Sequence, residues 1–290
     1  MENKLIDLHV HSTESDGTLT PPEVMQAAKD AGLAAVALTD HDTASGIQKA
    51  KPAAAELGVE LVPGIELSTE YTLPATKEGK EIHIVGLYIH PEDPALTKMT
   101  AEFRACRENR NEKIVEALQR EGFDITMEAL IAENPDSVIT RANIARFLFH
   151  HGYIKSISEA FEKYIGDECP CYVERFKVTP MEAVALIKQA GGVAVLAHPM
   201  LYHMDADSLQ RMIDDLKEPG LDGIEALYST YTADEEAFVL RLAEKNRLLI
   251  SGGSDFHGTT KPSIRLGSGK GNLRIPYSVL EALKTRAAQL

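Results

Sequence analysis

Histidines and carboxylates gather at the ends of short apolar runs in this chain. Asp7-Leu8-His9-Val10-His11-Ser12 closes the first run, Thr39-Asp40-His41-Asp42 the second and Gly64-Ile65-Glu66 the third. Leu196-Ala197-His198-Pro199 closes a later run, and Gly253-Ser254-Asp255-Phe256-His257 the last. Imidazole nitrogens and carboxylate oxygens are the donors that zinc, iron and manganese accept. Strand ends that converge on one mouth are where a β/α scaffold builds its site. The chemistry such a cluster supports is metal-dependent hydrolysis.

His9 and His11 are two apart on a strand, so both side chains leave one face and can hold a single ion. The pair by itself more commonly marks exposed polar strand positions. Asp7 and Asp16 flank it, and Asp16-Gly17 opens a loop from which a carboxylate can reach a second ion. Asp42 or Thr43 fits the N-cap of the following helix, which leaves His41 free for metal. Glu66 has two oxygens and can bridge two ions, although a lone Glu is more commonly a solvated surface residue. Asp255 and His257 again stand two apart, after Gly252 and Gly253. Six of the ten histidines are used in this way. His90, His150, His151 and His203 read as surface or loop residues, with His203 nearest the mouth.

The elements that must position these residues alternate. Strands are expected at Leu5–Val10, Leu33–Leu38, Val59–Ser68 and Glu81–Ile89. The first helix opens at Thr20-Pro21-Pro22-Glu23, where Thr20 fits the N-cap and Glu23 the reciprocal position, and it ends at Gly32. A second helix is expected from about Thr43 to Leu57, kinked or split at Pro52. His83 lies early in its strand, far from the mouth if that strand runs parallel. An antiparallel hairpin over residues 65–90 returns it to Glu66.

From about residue 95 to 178 helical patterns dominate: Pro94–Glu121, Met127–Asn134, Arg141–His151 and Ser156–Tyr164. This reads as an all-helical insertion, residues 95–178, in a domain made of residues 1–94 and 179–290. Alternation then resumes, with strands Val193–Ala197, Gly223–Tyr228 and Leu248–Ser251. The intervening and closing helices are Pro180–Ala190, Asp207–Leu216, Ala233–Asn246 and Pro276–Ala288.

Bulk properties narrow the classes. Of 290 residues, 44% are hydrophobic and 26% charged, as in an ordinary soluble globular protein. No apolar stretch reaches the roughly 18–20 residues that a membrane span needs. Met1-Glu2-Asn3-Lys4 leads straight into a strand and is unlike a signal peptide. Cys106, Cys169 and Cys171 form no disulfide framework, and Cys169-Pro170-Cys171 has no second pair to complete a zinc site. A cytoplasmic address is expected, and a monomer is favoured although nothing fixes the oligomeric state. The net charge of −14 argues against binding duplex nucleic acid. A small phosphorylated substrate is compatible, because three divalent ions with three carboxylates leave a local charge of about +3.

Taken together, His9-Val-His11, Thr39-Asp-His41-Asp, Glu66, His83, Ala197-His198-Pro and Ser254-Asp255-Phe-His257 resemble the motifs of the PHP (polymerase and histidinol phosphatase) family. The resemblance spans the chain outside the helical insertion. It implies an α/β fold, a distorted (β/α)7 barrel, with two or three divalent ions (Mn, Fe or Zn) at a trinuclear centre. One ion would take His9, His11, Glu66 and Asp255. A second would share Glu66 and add His83 and His198, and the third would take Asp16, His41 and His257. Asp16, His41 and Glu66 would carry catalysis, as water between two ions becomes hydroxide near neutral pH and attacks phosphorus in line.

The insertion further resembles the nucleotide-directed branch, which includes nucleoside 3′,5′-bisphosphate phosphatases and enzymes trimming short RNA from the 5′ end. It is expected to cap the mouth. Thr140-Arg141 opens a helix whose N–H groups, with Arg141 and to a lesser degree Arg146, suit a second phosphate. The same arginines equally suit a solvated helix face. Met200-Leu201-Tyr202 stands where relatives often carry an Arg, so phosphate binding there passes to other cations. The alternatives are a histidinol-phosphate phosphatase and a non-catalytic metal-binding regulatory module.

Overall fold

The apolar runs fold as β1 (Leu5–Val10), β2 (Leu33–Leu38), β3 (Glu60–Thr72), β4 (Gly79–Leu87), β5 (Val193–Leu196), β6 (Gly223–Tyr228) and β7 (Leu249–Gly253). They hydrogen-bond in chain order as one seven-stranded sheet. The computed structural model describes residues 4–134, 139–167, 169–173 and 178–290. Strands β1–β3 are mutually parallel, as are β5–β7, while β4 runs against both of its neighbours. The sheet curls until its ends meet: the His11 N–H donates to Phe256 O at 3.0 Å, and the Asp255 N–H to His9 O at 2.9 Å. The result is an α/β barrel, nearly closed and distorted by one reversed strand.

That reversed strand is the anticipated hairpin. Glu66 stands opposite Val85 and Ser68 opposite His83, so the reversed pairing brings His83, midway along β4, to the mouth beside Glu66, midway along β3. The barrel interior and its closing helix share one apolar cluster, including Ile6, Leu8, Ala35, Val62, Val85 and Val195 with Leu280 and Leu283. The last two belong to a helix at Tyr277–Ala287. Burying such side chains contributes roughly 1.5–3 kcal/mol each before entropy is counted.

Helix α1 (Pro21–Asp30) begins as its sequence requires. The Glu23 carboxylate accepts from the Thr20 N–H at 2.8 Å and from its hydroxyl at 2.7 Å. Helix α2 (Gly46–Leu57) departs from expectation twice. It starts at Ser45 rather than at Asp42 or Thr43, because Asp42 Oδ1 instead accepts the Ser68 N–H at 2.9 Å. It also runs unbroken through Pro52, which is exposed, so water can satisfy the carbonyl one turn back.

The chain divides into two compact units, Met1–Lys98 with Lys177–Leu290, and Met99–Phe176. Helices α3 (Pro94–Arg120), α4 (Met127–Glu133), α5 (Arg141–His150) and α6 (Ile157–Ala160) supply the second unit, with no strand among its described residues. One π-helical turn, Phe161–Ile165, extends α6. The unit has its own core, with Ile114, Leu118, Leu130, Ile144, Leu148 and Ile165 all buried. The first unit resumes with α7 (Pro180–Gln189), α8 (Ala206–Lys217), α9 (Ala233–Asn246) and α10 (Tyr277–Ala287).

Candidate metal centre

Glu66, at the mouth end of the parallel part of β3, is fully buried and touches five imidazoles. His9 Nε2, His11 Nε2 and His41 Nδ1 lie 3.1, 3.2 and 3.1 Å from its Oε2. His83 Nδ1 and His198 Nε2 lie 2.9 and 3.0 Å from its Oε1. On the other side of His11, Asp255 Oδ1 is 3.3 Å from His11 Nε2 and 3.3 Å from His257 Nδ1. Asp16 Oδ1 is 3.2 Å from His257 Nε2 and 3.7 Å from His11 Nδ1. All nine residues singled out from the sequence therefore meet in one cluster.

The donor set fits cations. His9 Nε2, His11 Nε2, His41 Nδ1 and Glu66 Oε2 are buried and have no hydrogen-bond partner, although the three nitrogens crowd that one oxygen. Buried polar atoms are rarely left so. Donor atoms that converge without bonding one another surround positions where ions complete them. Four overlapping groups bring their ligand atoms within 4.8 Å of one another: His11, Asp16, His41 and His257; His9, Glu66 and His198; His9, His11 and Asp255; and His41, Glu66 and His83.

Electrostatics agree. Burial works to raise the Glu66 carboxyl, but the neighbouring His9, His41 and His83 hold it well below the usual carboxylate range. Asp16 is likewise held low by His41, His257 and His11 against burial. Burial pulls His11 down, and its contacts with Asp255 and Glu66 nonetheless push it up to about 9. His41, where burial dominates, is driven well below the ordinary imidazole value and stays neutral.

Local backbone explains why these residues and not their neighbours point inward. His198 and Asp255 both have positive φ, 25° and 55°, a conformation costly for side-chain-bearing residues and typical of functional sites. Asp7 and Asp40 are withdrawn into structural roles. Asp7 accepts from the Ser254 N–H at 2.8 Å and the Gly267 N–H at 2.7 Å. Asp40 accepts from the Ser12 N–H and the Ser15 hydroxyl, each at 2.7 Å.

Close approach matters most at Gly253. A Cβ there would stand 2.3 Å from His9 Cβ and 2.5 Å from His9 N. Gly253→Ala is expected to destabilise the fold by about 1–3 kcal/mol and to displace His9. Thermal denaturation and metal content of the purified variant check this, and a variant matching the parent in both refutes it.

Several supporting residues escaped the sequence reading. The Tyr202 hydroxyl accepts the His83 N–H at 3.0 Å and donates to Ala197 O at 2.6 Å, tying together the strand segments that carry two ligands. The Tyr228 hydroxyl and Lys261 Nζ both donate to Asp255 Oδ2, each at 2.6 Å, leaving Oδ1 for the cluster. Glu225, on β6, contacts His9. The one available signal was a carboxylate inside the apolar run Gly223–Tyr228. Arg141 opens α5 and reaches Ile165 O and Asp167 Oδ1, both at 3.4 Å. Arg146 is partly buried in the same helix. His203 is exposed with φ 50°. Among the described residues no helix is long and apolar enough to cross a membrane.

Barrel and donor cluster together define a metal-dependent hydrolase. The PHP domain model matches residues 7–218. The chain is 37% identical over 254 residues to a 5′-3′ exoribonuclease of Haemophilus influenzae, covering 88% of this chain and 90% of that one. It is also 37% identical over 257 residues to a 3′,5′-nucleoside bisphosphate phosphatase of Chromobacterium violaceum, covering 87% of each. A crystal structure from Bifidobacterium adolescentis, assigned as a metal-dependent phosphoesterase, superimposes with a TM-score of 0.82 at 29% identity over 98% of this chain and 97% of that one. The chain belongs to the PHP domain family.

Proposed function

We propose that the chain is a phosphoesterase that hydrolyses nucleotide phosphates, removing the 3′-phosphate from nucleoside 3′,5′-bisphosphates or cleaving short oligonucleotides. The observation that carries this reading is a complete ligand cluster in a chain matching two nucleotide-directed phosphoesterases nearly end to end. His9, His11, Glu66 and Asp255 would hold one ion, Glu66 with His83 and His198 a second, and Asp16, His41 and His257 a third. Mixed nitrogen and oxygen ligation suits Mn, Fe or Zn, with availability deciding. Bound ions supply an activated water and neutralise charge on the phosphoryl oxygens.

The chain's own residues supply the rest. Glu66 offers Oε2 to His9, His11 and His41 and Oε1 to His83 and His198, so one carboxylate could serve two neighbouring ions. Asp16, His41 and His83, all partly exposed, are cluster members a substrate can approach. Lys261, 41% exposed, adds a cation at the Asp255 edge of the cluster. No serine or cysteine nucleophile is needed.

A substrate panel tests the proposal. Metal-replete protein should release phosphate from 3′,5′-bisphosphorylated adenosine or shorten 5′-phosphorylated RNA. Rapid turnover of histidinol phosphate with neither of these activities rejects it, and no hydrolysis of any phosphoester favours a regulatory module.

A further inference from the structure

We infer that Glu225 is the positioning residue that sets the tautomer of His9 and fixes the backbone of His198, so that both present ligand nitrogens to the metal centre. This deepens the reading above and rests on the same cluster.

Glu225 projects from β6 and is 3% exposed. Its Oε1 accepts from His9 Nδ1 at 3.1 Å, and Oε2 stands 3.3 Å from the same nitrogen. Oε2 also accepts the His198 backbone N–H at 2.8 Å. One carboxylate thus joins a ligand on β1 to a ligand at the end of β5.

Each contact has a distinct consequence. In the neutral ring that a cation binds, a carboxylate facing Nδ1 holds the proton there, which leaves the lone pair on Nε2. That is the nitrogen lying 3.1 Å from Glu66 Oε2 without a hydrogen-bond partner. Orienting partners of this kind set both the tautomer and the ring plane of a ligating histidine. The second contact grips His198 where its backbone is strained, at φ 25° and ψ 55°. Such a conformation persists only when the surroundings over-determine it. Here a buried charged acceptor does so.

The chemistry discriminates sharply against the isosteric amide. Both partners of Glu225 are N–H donors, and glutamine offers one acceptor oxygen and one NH₂ group. If its NH₂ faces His198, two donors oppose each other. If it faces His9, the ring must accept at Nδ1, and the proton moves to Nε2 and blocks ligation. Aspartate keeps two acceptor oxygens on a stem one methylene shorter. A role in filling space favours Gln over Asp; a role in accepting two hydrogen bonds favours Asp over Gln.

The test is Zn(II) titration of chelator-stripped Glu225→Gln and Glu225→Asp against a chromophoric competitor, with elemental analysis after dialysis. Circular dichroism establishes that each variant is folded. E225Q is expected to bind about 10–100-fold more weakly at the affected sites and to retain fewer ions, with E225D intermediate. In ¹⁵N spectra of the Zn(II)-loaded protein, the His9 ring should carry its proton on Nδ1 in the parent and lose that preference in E225Q. Wild-type ion content and affinity in folded E225Q, or tighter binding by E225Q than by E225D, overturn the proposal. Should E225Q fail to fold, E225D decides: binding within tenfold of the parent supports the role, and loss of ions overturns it. These readouts do not depend on which phosphoester is hydrolysed, so the two proposals fail separately.

Discussion

Glu66→Ala is expected to abolish phosphoester hydrolysis, by at least about 10³-fold in kcat/KM, and to leave the purified protein depleted of metal. Losing an orienting partner outside the coordination sphere already costs about 10–100-fold. Glu66 is worse to lose because it serves five imidazoles at once, at 2.9 to 3.2 Å. Without it, neighbouring ions would lose the carboxylate they share, and the five imidazoles would lose the anion set between them. Glu66→Gln separates charge from volume: it keeps the packing and one oxygen, so it should fold like the parent yet bind fewer ions. Steady-state kinetics with elemental analysis checks both variants. Parental kcat/KM in folded, metal-depleted E66A would remove Glu66 from the mechanism.

Much of this architecture is local and therefore legible in sequence. Thr20 and Glu23 announce a helix start because the two residues that bond are three apart. His9 and His11 share a face because strand periodicity is two. The reversal of β4 followed from one misfit, an early histidine that no parallel strand could deliver to the mouth.

What escaped was non-local. Nothing in Asp7, Asp40 and Asp42 distinguishes them from Asp16 until partners more than 20 residues away claim their oxygens: Ser254 for Asp7, Ser12 for Asp40 and Ser68 for Asp42. Glu225 lies 216 residues from His9, and only barrel closure brings them together. The start of α2 was misplaced for the same reason. Asp42 looks like a cap in its own neighbourhood, and a β3 amide takes it first.

Metal loading should be steeply pH-dependent, weakening by about 100-fold for each unit that pH falls below 8, if two protons are displaced per binding event. In the metal-free centre burial lowers His11 and His83, but carboxylate neighbours prevail, Asp255 and Glu66 for His11 and Glu66 for His83. Their values rise to about 9 and about 10. Both rings therefore carry protons at neutral pH that an incoming cation must expel. The sign follows for stability as well. A histidine raised above its unfolded value stabilises the metal-free fold fully below about pH 6.5, and that contribution is lost as pH climbs through 9 to 10. Cations bind only the deprotonated rings, so their stabilisation grows over the same interval. The gap in Tm between Mn(II)-loaded and chelator-treated protein should thus widen from pH 6 to pH 8.5. Titration calorimetry in buffers of different ionisation enthalpy should count the released protons. A Tm gap that is constant with pH, or no proton release, would show that the imidazoles are already neutral before the ions arrive.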